Sequence, residues 1–379
     1  MSAETPWELG ARVVRACLEM GFARAGIAPA APTEREREFL AWLAAGKHGE
    51  MAYLEEHLAE RMDPRRLVPG ARAIIMVADR YAARGEAPPR AEDGRALGRI
   101  ARYVRGGDYH AAMKKRLHAL ADSLRPKFPG HIFRSVVDSA PVLEREHAAR
   151  AGLGWIGKHT LLIDPKAGSY LLLGGIITTL EVEPPPEQRA VPDHCGTCTR
   201  CIDACPTGAI TPYSVDASRC ISYLTIEHRG LIEPALHEGM GEWVFGCDVC
   251  QEVCPHNSAR PPHSSRPAAD SRLHERYAPR REGLDLLAVL GWDEEGRRAT
   301  FHTSAMKRAK LEMMKRNAII AAGNVAMRGG EVAVTLRERI AALAADESEP
   351  ELVRQTARQT LARLERARLS SPAAAPGWT

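Results

Sequence analysis

Four cysteines fall within eleven residues, Cys195, Cys198, Cys201 and Cys205, the last followed by Pro206, and a second run of Cys247, Cys250 and Cys254 closes on Pro255. Thiolates at intervals of three residues reach three corners of one cuboidal [4Fe–4S] cluster, while a cysteine held one residue further off points at a neighbouring cluster. The spacing therefore predicts two clusters. One takes Cys195, Cys198 and Cys201 with Cys254 as its remote ligand; the other takes Cys247 and Cys250 with Cys205. The missing fourth ligand of the second cluster is assigned to Cys220, separated from Cys247 by residues 221–246. An insertion at that point is expected to build something beside the cluster.

Zinc sites pair two short Cys-x-x-Cys hooks across a longer loop, which these runs do not resemble. Disulfides fit worse, because residues 1–20 show no basic-then-apolar signal segment and a reducing, cytoplasmic setting is the expectation. Cys17 stands apart on the amphipathic stretch Leu9, Val13, Ala16, Met20 and reads as a small core hydrophobe.

A chain of 379 residues, 45% hydrophobic and 26% charged, is long enough for two or three globular domains. Its longest apolar run, Tyr170 to Leu180, contains two glycines and two threonines and reads as a buried strand, so no membrane crossing is expected. A net charge of +4 is too small to announce a polyanion partner. Residues 305–317 are the exception, with Lys307, Arg308, Lys310, Lys315 and Arg316 against Glu312 alone. Such a run is either a solvated helix face or a nucleic-acid contact.

The pattern along residues 1–183 alternates helices, at about 6–20, 33–45, 49–60 and 108–127, with strands at Ala73–Ala78, Ile100–Val104, Ile132–Asp138, Leu161–Ile163 and Tyr170–Val182. This is an α/β or α+β domain. A triple proline at 184–186 opens a ferredoxin-like two-cluster module over 184–258, and residues 259–283 read as a linker. Helices alone follow over 284–368, at Leu284–Leu290, Ala305–Met327, Glu331–Ala344 and Glu351–Ala367, two pairs of the length found in HEAT-type repeats. Residues 369–379 read as a disordered tail.

The segment Asp138-Ser-Ala-Pro141-Val-Leu-Glu144-Arg145, continuing through Gly154-Trp155-Ile-Gly157-Lys158-His159, then resembles the epoxyqueuosine reductases when taken with the two cysteine runs and the helical tail. The resemblance extends from Arg61 and the segment YVRGGDYH, residues 103–110, nearly to the end of the chain. It implies cobalamin beside the two [4Fe–4S] clusters, and reduction of epoxyqueuosine at the wobble position of tRNAs with GUN anticodons. An external low-potential electron donor and a monomeric cytoplasmic enzyme are expected with it. Converting an epoxide to an alkene takes two electrons and two protons, and clusters pass electrons singly, so a corrinoid cobalt suits the half-reduced state. The cluster of Cys205, Cys220, Cys247 and Cys250 is the expected donor to it.

The family's proton donor falls on Asp138. At the end of an apolar strand its carboxyl is expected to be desolvated, with a raised pKa; the alternative is a cap for a helix starting near Pro141. Implied cobalamin contacts are Arg61, Asp138, Gly154, Trp155, Gly157, Lys158, His159, Ser222 and Tyr223. Arg61 serves equally as a helix-end cation and Trp155 as core. Lys307, Arg308, Lys310, Lys315 and Arg316 are the expected tRNA contacts, and His110 with Lys114, Lys115 and Arg116 a second candidate face. A corrinoid reductive dehalogenase shares the cofactor set but would leave the basic helices unexplained. A plain electron carrier would not need the N-terminal domain.

Overall fold

The computed structural model describes residues 4–87, 95–259 and 273–370, which fall into two compact units. The first gathers Met1–Ala87, Gly106–Ser218 and Asp248–Pro279. Its frame is an antiparallel sheet in the order Arg24–Pro29, Ala73–Arg80, Leu171–Thr178, Phe133–Val136, so the unit is α+β. Ala73–Arg80 is buried at every position, which is why it reads as a continuous apolar run and not as an alternation. Arg24–Pro29 has no counterpart in the sequence reading. A glycine and a proline among its six residues hide the period.

Helix Tyr109–Leu124 lies across this sheet at Gly174, where a Cβ would sit 3.1 Å from Val137 and 3.2 Å from Leu117 and Met113. The close approach sets the helix N-terminus, and His110 with it, beside the end of strand Phe133–Val136 and Asp138. Arg116, offered above as part of a phosphate-facing surface, is instead part of the interior. It pairs with the buried Asp79, bonds the Tyr277 hydroxyl at 3.1 Å and lies 4.1 Å over the Phe22 ring. The helix expected over 49–60 is broken into Ala52–Leu54 and Leu58–Met62, with His57 left-handed between them at φ 53°.

The second unit gathers Pro88–Arg105, Arg219–Cys247 and Arg280–Thr379. Leu97–Ile100 pairs in parallel with Trp243–Phe245 on one side and antiparallel with Gly283–Asp285 on the other. The linear division at 183, 258 and 283 is thereby corrected. Strand Leu97–Ile100 and residues 219–247 join the C-terminal helices because the strand finds both its partners there. Of the expected linker, residues 260–272 lie outside the described residues, as does the tail from 371; Glu275–Tyr277 is a 3-10 turn. Helix Glu294–Phe301, opened by Asp293, was not anticipated.

Helix Leu311–Ala326 is buried almost throughout and packs against Glu331–Ala345 and Glu351–Ser370. That burial overturns two expected tRNA contacts. Arg316 is fully buried and donates to the carbonyls of Leu224 at 2.6 Å, His228 at 2.8 Å and Gly230 at 2.7 Å, while Lys315 is buried against Glu349. Asn317 adds bonds to the carbonyls of Thr225 at 2.9 Å and Val244 at 3.0 Å. These side chains tie the 221–246 insertion to the helices. Arg316→Ala should therefore lower the melting temperature sharply, since each stranded carbonyl costs about 1–3 kcal/mol. Thermal unfolding followed by circular dichroism checks it; a surface cation would leave the transition within a degree or so. Among the described residues, no helix is long and apolar enough to cross a membrane.

Candidate functional site

Four cysteines line one cavity of about 120 Å³ in the first unit: Cys195, Cys198, Cys201 and Cys254. Two short helices, Arg200–Asp203 and Val249–Glu252, pack together and bring the two runs to each other. Among the described residues, no three histidine, cysteine or acidic side chains close around a single ion; the four thiols surround a space. Burial pushes the Cys254 thiol up to about 11, and the charges of Cys195, Cys201 and Cys198 add to the effect. A donor set that resists ionisation alone suits a cationic iron cluster, which deprotonates the thiols it binds. Around it, Asp193 accepts the Cys195 amide at 2.6 Å and Lys158 donates to the carbonyls of Gly196 at 2.7 Å and Cys198 at 3.0 Å.

The Gly154–His159 segment borders this cavity. Trp155 packs on Cys254 and Cys195, and Lys158 and His159 line the cavity. A Cβ on Gly154 would lie 2.2 Å from the Ile163 carbonyl, and one on Gly157 2.5 Å from the Ile163 side chain. The glycines are there so that Trp155–Ile156 can pair with Leu162–Ile163. Nothing about a cofactor is needed to explain them.

The remaining cysteines divide by unit. In the first, the Ala209 amide donates to Cys205 Sγ at 3.3 Å, and Cys250 sits on helix Val249–Glu252. In the second, Cys220 precedes helix Ile221–Ile226 and Cys247 follows strand Trp243–Phe245. Thr225 joins the two: its hydroxyl donates to the Ile221 carbonyl at 2.7 Å and accepts the Gly246 amide at 2.9 Å. Gly246 takes φ 69°, and a Cβ there would meet Ala101 at 2.6 Å, so only glycine makes the turn that presents Cys247. Ser222 is partly buried and Tyr223 buried in the same segment, with the His228 ring 6.0 Å from that of Tyr223.

Asp138 stands elsewhere in the first unit, on a left-handed turn at φ 58° just beyond strand Phe133–Val136. Its carboxylate is about half exposed, which corrects the desolvated acid expected from sequence. It caps no helix either; the next one, Glu144–Arg150, has Leu143 at its N-cap position. His110 Nε2 lies 3.0 Å from Asp138 Oδ2, and His110 Nδ1 2.8 Å from Asp108 Oδ1. Burial lowers the His110 pKa, but the bonds to Asp138 and Asp108 outweigh it and leave the pKa raised. His110 Nε2 and Asp138 Oδ2 thus stand at hydrogen-bond distance on an accessible turn.

Glu144, quoted in the motif without a role, accepts the Asp138 backbone amide at 2.7 Å and so fixes the turn. No spacing rule announces a contact of this kind across six residues. Desolvation raises the Glu144 pKa to about 7. Between the ordinary carboxyl value of 4.5 and about 7 the folded chain then binds more protons than the unfolded chain, so stability falls as pH rises through that window. Glu144→Gln should flatten this fall in denaturation curves recorded between pH 5 and 8. Arg61 lies nearby, its Nη2 3.3 Å from the Tyr53 carbonyl and its Nε buried without a partner. Arg145 is solvent-accessible and bonds the Thr160 carbonyl at 2.7 Å, yet desolvation lowers its pKa.

Residues 194–257 match the family described as "4Fe-4S double cluster binding domain", and residues 61–139 match "Epoxyqueuosine reductase QueG, DUF1730". The epoxyqueuosine reductase of Leadbetterella byssophila is 41% identical over 303 residues, 79% of this chain and 93% of its own. A crystal structure of epoxyqueuosine reductase with an epoxyqueuosine-modified tRNA-Tyr stem loop superposes at TM-score 0.82 and 25% identity, covering 97% of this chain and 96% of that one. The Bacillus subtilis enzyme, in a structure with its aspartate-bearing catalytic loop swung out of the active site, superposes at TM-score 0.81 and 25% identity over the same shares.

Fold and cysteine sites together define an iron–sulfur oxidoreductase with two [4Fe–4S] clusters. Within that class the relatives are specific: the chain belongs to the epoxyqueuosine reductase family.

Proposed function

We propose that the protein reduces epoxyqueuosine to queuosine at the tRNA wobble position, the last step of queuosine formation, and that Asp138 with His110 delivers the proton to the opening epoxide oxygen. The observation that carries this is the His110–Asp138 pair on a turn fixed by Glu144, in a chain of this family. The proton rests with His110 and is passed through the Asp138 carboxyl, so Asp138 need not be neutral between turnovers. Epoxide, two electrons and two protons give alkene and water. The cytoplasm, where tRNA is, is the proposed setting, with an external low-potential reductant and a monomeric enzyme.

The first cluster is assigned to Cys195, Cys198, Cys201 and Cys254 and the second to Cys205, Cys220, Cys247 and Cys250. Cobalamin is assigned to the neighbourhood of Arg61, Asp138 and Arg145, whose unpartnered Arg61 Nε and accessible Arg145 guanidinium suit a large ligand bearing amide and phosphate oxygens. When bound it supplies a cobalt centre able to hold the half-reduced state. Ser222 and Tyr223 are kept as contacts on the family resemblance alone. Gly154, Trp155, Gly157, Lys158 and His159 are likewise kept as cofactor contacts on the family resemblance, and Trp155, Lys158 and His159 also border the first cysteine set.

For tRNA, the HEAT-like helices remain the proposed platform with Lys307, Arg308 and Lys310, all exposed, as phosphate contacts. Arg308 also pairs with Glu227 at 2.9 Å. Neutralising the three should flatten the salt dependence of tRNA binding by roughly 0.7–0.9 in log–log slope per lost contact. An unchanged slope moves the site away from this segment. The function itself is tested anaerobically with an epoxyqueuosine-containing stem loop, cobalamin and a chemical reductant, reading the loss of one oxygen by mass spectrometry. A protein whose clusters accept electrons while the epoxide persists would be an electron carrier, and the proposal would fall.

A further inference from the structure

Two buried ring N–H groups beside the first cysteine set find no nitrogen or oxygen acceptor, and one of them, the Trp155 indole N–H, is directed at the Cys195 sulfur. Trp155 is 4% and His159 3% exposed, and both Trp155 Nε1 and His159 Nε2 are buried without a nitrogen or oxygen partner. A donor left unmade in the interior costs about 1–3 kcal/mol. Two of them, four positions apart in sequence, call for an acceptor of another kind.

The His159 tautomer follows from its other nitrogen. Nδ1 accepts the Leu161 amide at 3.2 Å, so the ring proton resides on Nε2. His159 Nε2 is therefore a donor, and His159 lines the cavity with all four cysteines. Trp155 packs against Cys254 and Cys195, and its indole N–H favours the Cys195 thiolate. The rings of His194 and His256 meet it edge-on at 5.1 and 4.8 Å and fix its plane.

We infer that Trp155 Nε1–H and His159 Nε2–H donate hydrogen bonds to the sulfur atoms of the first cluster and hold its reduction potential above the value it would have without them. Reduction adds one electron from an external low-potential reductant, with no bond broken and no proton taken up. The added negative charge spreads onto the sulfurs, and N–H dipoles aimed at them stabilise the reduced form more than the oxidised one. The inference rests on the proposed ligand set of the first cluster, not on the tRNA substrate.

The test is an electron paramagnetic resonance redox titration of the cluster-loaded protein and of Trp155→Phe, His159→Leu and His159→Gln. Trp155→Phe and His159→Leu should each weaken the reduction equilibrium of the first cluster about tenfold, about 59 mV for a one-electron couple. The second cluster should not move, and His159→Gln, whose amide restores an N–H, should return toward the parent value. An unchanged first potential with four irons in place overturns the inference, as does an equal shift of both clusters. Loss of the first cluster in these variants would instead signal a wrong ligand set or failed assembly. Proton ENDOR of the reduced parent protein in H₂O and D₂O then decides: strongly coupled exchangeable protons on the first cluster support the inference, and none sinks it.

Discussion

Asp138→Asn should abolish epoxide reduction, with a loss on the order of 10²–10⁴ in rate, while folding and both clusters persist. Asparagine tolerates the left-handed conformation at φ 58° better than most residues, so the turn survives and the Glu144 contact, made by the backbone amide, is retained. What is lost is the carboxylate that shares a proton with His110. A second readout separates this from any structural effect. Asp138 is one of the two partners that raise the His110 pKa, and Asp138→Asn should lower it, as seen in the pH titration of the ring by NMR. Near-normal turnover with an unshifted His110 would demote Asp138 and pass the search to His110 itself.

The grouping of Cys195, Cys198, Cys201 and Cys254 around one cavity was legible because its information is local: the Cys-x-x-Cys-x-x-Cys-x-x-x-Cys-Pro spacing survives whatever the rest of the chain does. Strand Ala73–Arg80 and helix Tyr109–Leu124 were legible for the same reason, each carrying its period within itself. What sequence misjudged depends on distant partners. Arg316 looks like a surface cation until the Leu224, His228 and Gly230 carbonyls converge on it from residues 224–230. Gly154 and Gly157 look like a cofactor turn until the Ile163 strand presses on them. The environment of Asp138 was misread in a similar way. An apolar strand end suggests desolvation, but the left-handed turn swings the carboxylate out to half exposure and against His110.

The irregular ligand offers the second large effect. Cys220→Ala should reduce the iron content from about eight to about four atoms per chain, remove the second cluster's paramagnetic signal and stop turnover. The first cluster should remain, because its four cysteines are all elsewhere. Cys220 sits at the N-cap position of helix Ile221–Ile226 but makes no side-chain capping bond, so alanine there removes a thiol and leaves the helix start as it was. The Thr225 bonds to Ile221 and Gly246 continue to hold the segment beside Cys247. A partly buried thiol with no ligand role would make the same substitution nearly silent: its loss costs only a small packing contribution, and iron analysis would still return both clusters. Retention of both by Cys220→Ala would therefore break the assignment of the second cluster and leave Cys205, Cys247 and Cys250 in need of a different fourth ligand.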